Sequence, residues 1–119
     1  MSIPTVIHFD HFRPVPLPVD PTKLLAGNPN AQVDHRYSDE SQQFHCGTWG
    51  SEPGRWRIYY AEHEFCYLLL GRVRLVSDNG ETSEYQVGDA FVIPAGFSGT
   101  WETLETCRKH YAIFEPKPE

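Results

Sequence analysis

From Gln43 onward, Gly, Pro, Asn or Asp cuts the chain into short pieces rich in Tyr, Phe, Val, Ile, Trp and Thr. Turn signals at a spacing of about 8–12 residues leave no room for a packed helix and suit an all-β sandwich or barrel. The pattern predicts strands at roughly 43–49, 55–61, 64–70, 72–77, 82–87, 90–94, 98–104 and 107–114. Asn79-Gly80 tolerates positive φ and predicts a tight hairpin turn between two of them. Arg72-Val73-Arg74-Leu75 alternates charged and apolar residues, so one face of that strand meets a core. No long window reads as an amphipathic helix.

The first third of the chain obeys other rules. Six of the ten prolines (Pro4, Pro14, Pro16, Pro18, Pro21 and Pro29) fall in the first 29 residues. Each fixes φ and removes a backbone donor, which excludes a regular helix or a central strand there. One helical turn is expected at Pro21–Ala26, closed by Gly27. Val33–Gln43 is polar and without period, and reads as a linker or surface loop. The predicted division is an extended Pro-rich arm and linker over 1–42 and a barrel domain over 43–119. Such an arm cannot bury Phe9, Phe12, Val15 and Leu17 within itself, so it is expected to lie across a second copy in a homodimer.

Composition narrows the partners. A chain of 119 residues makes one domain, and a net charge of -6 opposes a nucleic-acid backbone. The longest apolar run, Phe65–Leu70, is far below the roughly 20 residues that span a bilayer. With no basic-then-apolar start, the expectation is a soluble, cytoplasmic protein without a membrane or nucleic-acid partner. Cys46, Cys66 and Cys107 are odd in number and widely spaced, which fits neither a disulfide framework nor a zinc ribbon.

Two glycine-anchored segments carry a family resemblance. Gly88-Asp89-Ala90-Phe91-Val92-Ile93-Pro94-Ala95-Gly96 resembles the second cupin motif in its glycine, proline and glycine, and Glu64 to Gly71 resembles the E-x6-G half of the first. Sixteen residues separate Gly71 from Gly88, close to the shortest spacer that cupins use. The stretch from Trp49 to Tyr111 looks like the small single-domain branch grouped with ureidoglycine aminohydrolase-like cupins, with the ethanolamine-utilisation cupin as a neighbour. The resemblance covers about residues 43–114 and implies an RmlC-like jelly-roll β-barrel, often homodimeric, in a group where many members have no settled activity.

The resemblance also implies a metal site, and here the residues depart from it. Cupin enzymes commonly hold a divalent metal with two histidines and a glutamate from the first motif and a histidine from the second. In this chain those positions fall on Ile58, Tyr60, Glu64 and Gly99, so one ligand of four survives, or two if Tyr60 binds as phenolate. No cofactor is expected; if Mn, Fe, Ni or Zn binds, Glu64 holds it.

Strand parity places Ile58 with Tyr60, and Gly99 with Trp101 and Thr103. Trp101, with no lone pair for a metal, would line or cap the cavity. A carboxylate at Glu64 facing an apolar barrel beside Tyr60 would suit general acid or base work, or be a structural group bonded to Tyr60. Cys66 shares that face as a pocket residue; without a basic neighbour its thiol would be inert packing. His63 should face away from Glu64, and Glu62 should be solvated.

Of Arg108-Lys109-His110-Tyr111, two of the four side chains are expected to enter the cavity. Arg108 is the candidate for a ligand's carboxylate or phosphate, and His110 for acid-base work. His45 and Cys46 sit early in the barrel with nothing in their spacing to favour a role. His8, His11 and His35 are expected on the surface, and Arg55 and Arg57 beside Trp56 on a sheet face. The catalytic set so predicted is Glu64, Tyr60 and His110, with Trp101, Cys66 and Arg108 binding the ligand. The leading expectation is a metal-poor cupin that binds a small polar or anionic metabolite in its barrel, with weak catalysis on a nitrogen-containing or sugar-like compound. The rivals are a metal-dependent amidohydrolase using Glu64, Tyr60 and His110 or His45, and a structural or regulatory barrel packed shut by Trp101, Phe91 and Leu68.

Overall fold

A computed structural model describes residues 2–117. Among these the chain forms nine strands and no helix: β1 Val15–Pro16, β2 Leu24–Gly27, β3 Gln32–Ser38, β4 Phe44–Ser51, β5 Gly54–Tyr59, β6 His63–Ser77, β7 Thr82–Gln86, β8 Ala90–Ile93 and β9 Ser98–Phe114. All pairings are antiparallel. β9 is the hub. One edge pairs along β6, while the other pairs first with β5 and then with β4. β3 and β1 extend the sheet beyond β4, β2 extends it beyond β5, and β7 and β8 fold back onto β6.

The all-β expectation holds, with three changes of detail. Two pairs of predicted strands are each one continuous strand, β6 and β9. Within β6 the buried positions run Glu64, Cys66, Leu68, then Val73, Leu75, so the inward parity changes where the pairing with β9 shifts register between Leu68 and Val73. Second, the linker is largely strand β3, paired with β4 from Gln32↔Gly50 to Ser38↔His45. Third, the segment expected as a helical turn is a turn followed by strand β2, whose backbone bonds to β5. The hairpin at Asn79-Gly80 forms as predicted, with Gly80 at φ 88.

The core lies between the curled faces, around Trp56, Leu68, Val73, Leu75, Phe91, Ile93 and Trp101. Trp101 is 2% exposed and meets the Trp49, Trp56 and Phe91 rings at centroid distances of 5.5, 6.5 and 6.5 Å. The N-terminal segment lies on its own barrel. Arg36 donates to the carbonyls of Asp10 and His11, Phe12 lies 4.1 Å from the Arg108 guanidinium, and Phe9 sits edge-on to His110.

Candidate functional site: a cavity with a buried Glu–Lys pair

A cavity of about 430 Å³ opens at one end of the sheet, walled by Trp49, Trp56 and Trp101 and bearing Tyr60, Glu64, Lys109 and Tyr111. Leu68 and Phe91 pack the core and do not line it. Glu64 on β6 and Lys109 on β9 point the same way because each lies on the inward parity of its strand. They are 5% and 4% exposed, and Lys109 Nζ stands 3.2 Å from Glu64 Oε2. The Tyr60 hydroxyl donates to Glu64 Oε1 at 2.5 Å.

Lys109 is enclosed on every side. Its Nζ lies 3.4 Å from Cys66 Sγ, and 4.4 and 5.0 Å from the centroids of the Trp101 and Trp49 rings, whose faces attract a cation. Burial pulls the ammonium toward its neutral form, but the groups facing it, Cys66, Glu64 and Tyr60, outweigh that pull and hold its pKa above the ordinary lysine value. The thiol and the phenol are themselves neutral near pH 7. Burial pushes Cys66 up to about 12 and Tyr60 well above its ordinary range, which leaves the Glu64 carboxylate as the partner that counts.

The Pro94-Ala95-Gly96-Phe97 corner explains how Tyr60 is aimed. Gly96 N donates to Tyr60 O at 2.6 Å, and Tyr60 N donates to Phe97 O at 2.9 Å, so both backbone groups of Tyr60 are held by that corner. Ala95 N donates to His63 Nδ1 at 3.1 Å, and the His63 ring stacks on Phe114. His63 therefore clips the corner from outside, facing away from Glu64 as parity requires.

The structure divides the predicted site residues. Glu64, Tyr60 and Trp101 line the cavity together, whereas Cys66, fully buried, sits against Lys109 in the core and does not line it. Arg108 and His110 do not join them: with Lys109 and Tyr111 inward, both lie on the opposite face of β9, under the N-terminal segment. His110 accepts from or donates to Thr48 Oγ1 at 2.9 Å, and its burial lowers its pKa. The cation of the cavity is Lys109, already matched by Glu64. His35, exposed as expected, lines the mouth of the cavity with His45, and Glu62 stands on its wall.

The residues present do not fit the metal that the fold often carries. Ile58 offers no donor atom. A Cβ on Gly99 would lie 2.1 Å from the Val76 carbonyl oxygen, so no side chain fits at the position of the second-motif ligand. The Glu64 oxygens are taken by Tyr60 and by the Lys109 ammonium, and both ring nitrogens of His45 are engaged. Among the described residues no group of three or more His, Cys, Asp or Glu side chains is placed to share a cation.

Residues 38–111 match the family of EutQ-like cupin domains. The chain is a EutQ-like cupin. It is similar to the EutQ protein of Clostridium difficile, with a TM-score of 0.66 at 17% identity over 75% of this chain and 65% of that one. A Pseudomonas syringae pv. tomato protein of unknown function from the DUF861 family gives 0.76 at 24% identity, over 92% of this chain and 44% of that one. A DUF861 protein of Thermotoga maritima gives 0.55 at 34% identity, over 56% and 76%. This cupin thus spans about two thirds or less of the length of the first two. No curated protein matches it. The curled antiparallel sheet is the jelly-roll barrel that the sequence predicted.

Proposed function

We propose that this cupin binds a small molecule bearing an amino or hydroxyl group, and no carboxylate, in the aromatic cavity of its barrel. The balance of charge on the wall carries this reading. Lys109 is neutralised by Glu64, and Glu62 makes no ion pair among the described residues, so the wall is left with surplus negative charge. Three tryptophans beside that surplus suit an ammonium, which gains from ring faces and from Glu62 together. The wall thus favours a nitrogen-bearing ligand over the anion that Arg108 would have recognised. An amidohydrolase reading would need a ligand set that these side chains do not offer, so binding, with any chemistry supplied by side chains alone, is the reading we hold.

Methylamine, n-propylamine, glycerol and propionate test it by thermal shift, since a molecule that binds only the folded state raises Tm. The amines are expected to raise Tm and propionate to leave it unchanged, with Glu62→Gln weakening the amine effect. Stabilisation by propionate alone, or by none of the four, overturns the reading.

A homodimer belongs to the same proposal. Phe65 and Val92, paired across β6 and β8, are 46% and 57% exposed on the outer face beside Tyr67, an apolar surface suited to a second copy. Light scattering that returns a monomeric mass at all concentrations sinks it. Three unpaired thiols suit a reducing cytoplasm.

A further inference from the structure

Four hydrogen bonds in series lead from the cavity to its rim. The Tyr111 hydroxyl lies 2.8 Å from His35 Nδ1, His35 Nε2 lies 2.7 Å from Ser38 Oγ, Ser38 Oγ lies 2.7 Å from His45 Nδ1, and His45 Nε2 lies 2.8 Å from Glu115 Oε2. Tyr111 is 7% exposed, on the same face of β9 as Lys109, whereas His35 stands at the open mouth. Glu115 follows β9 directly, so one strand places both ends of the series.

The acceptors at the outer end fix the direction of every proton. His45 Nε2 faces two groups that only accept, the Glu115 carboxylate and the Gln42 carbonyl at 3.0 Å, so it carries the hydrogen. In neutral His45 the other nitrogen is then bare, and Ser38 donates to it. With its one hydrogen used, the Ser38 oxygen accepts from His35 Nε2. His35 Nδ1 is then bare in turn, and Tyr111 donates to it. The phenol consequently turns its lone pairs, not its hydrogen, toward the cavity.

We propose that Tyr111 is the proton acceptor of this cavity, taking a proton from a bound ammonium or hydroxyl group while an equivalent proton leaves through His35, Ser38 and His45 to Glu115. The inference rests on the reading that a molecule with such a group enters the cavity. The transfer balances. The ligand's N–H or O–H bond breaks and its electron pair stays on the ligand, while the proton bonds to the Tyr111 oxygen. The phenol's former proton passes to His35 Nδ1, that of His35 Nε2 to Ser38, that of Ser38 to His45 Nδ1, and that of His45 Nε2 to the Glu115 carboxylate. Every intermediate group ends with the number of protons it began with, and water at the mouth resets the two rings. Burial pushes the Tyr111 phenol up to about 12, so a free phenolate is not the base; concerted passage avoids forming one.

Histidine ¹⁵N NMR on the full chain tests the series without any ligand. Near pH 7.5 both rings are expected as the Nε2–H tautomer, Tyr111→Phe should alter the His45 signals as well as those of His35, and Glu115→Gln should alter those of His35. An Nδ1–H tautomer at either ring, or changes confined to the immediate neighbour, overturns the proposal. The transfer itself is read with 5-nitrobenzisoxazole, whose C–H deprotonation opens its N–O bond to a coloured phenolate. Wild-type protein should open it about tenfold or more faster than Tyr111→Phe, with Glu115→Gln also slower; equal rates in all three overturn the proposal. If the amine probes fail to raise Tm while the tautomers and rates stand, it is the choice of ligand that fails and not the series.

Discussion

Lys109 Nζ and Glu64 Oε2 stand 3.2 Å apart with both side chains almost wholly out of solvent. Removing either partner leaves a charge in a low-dielectric wall, which typically costs about 3–5 kcal/mol. Glu64→Gln and Lys109→Met should each lower stability by an amount near the bottom of that range, because cavity water relieves part of it. Joining Lys109→Met with Glu64→Leu should give a protein more stable than either single variant, since an apolar pair replaces an ion pair with little loss. Urea unfolding of the four proteins checks this, and a double variant weaker than both singles would contradict it.

The contact between Gly99 and the backbone of β6 makes a second, sharper case. An added Cβ would meet Val76 O at 2.1 Å and Ser77 Cα at 2.9 Å, both main-chain atoms. Gly99→Ala should therefore cost about 3 kcal/mol as the two longest strands are forced apart. At Gly80 nothing lies within 4 Å, so Gly80→Ala should cost only the positive φ, about 1 kcal/mol. Thermal or urea unfolding ranks the two.

His110 makes stability depend on pH. Burial lowers its folded pKa below the unfolded value of about 6.5, so below that pH the unfolded chain binds a proton that the folded chain resists. Its contribution is complete above pH 6.5 and is lost as pH falls toward the folded value. The denaturation midpoint of wild-type protein should thus drop more steeply between about pH 7 and 5 than that of His110→Gln. Phe9→Ala, which uncovers the ring, should flatten the curve in the same direction.

The thiols should differ in reactivity. Cys66 and Cys107 are buried, the former with its pKa pushed up to about 12, while Cys46 is partly exposed with a pKa raised by burial. A chromogenic disulfide reagent at pH 8 should titrate one thiol slowly in the native protein and three after denaturation.

Much of the site was legible in the sequence. Alternation along Glu64, Cys66 and Leu68 places Glu64 inside, and strand parity sets Tyr60 and Trp101 on faces that line the cavity. What stayed hidden has a physical cause. Strand β3 turns Val33 and His35 toward a wet cavity, so its inward face is not uniformly apolar and the usual period vanishes. Lys109 is obscured because Glu105 and Thr106, both exposed, interrupt the buried alternation midway along β9. Read as one strand, the parity of Trp101 and Thr103 runs on through Cys107 to Lys109 and Tyr111, and turns Arg108 and His110 outward. Arg36 is silent for a different reason: besides the Asp34 carboxylate two residues away, it holds the Asp10 carboxylate and the Asp10 and His11 carbonyls of the Pro-rich segment, a long-range clasp that no local pattern announces.

The central place of β9 has a consequence for how the protein comes to exist. Without it the remaining strands fall into three separate groups: β1 and β3 with β4, β2 with β5, and β7 and β8 with β6. None of the three closes a barrel, and each offers unpaired edges to other chains. Assembly is therefore a late, long-range event in which one segment must capture three partners, the kind of topology that folds slowly. Until that capture, neither the Glu64 carboxylate of β6 nor Trp49 of β4 has the lysine that β9 brings to it, so the interval before it is when this protein is most exposed to aggregation and proteolysis.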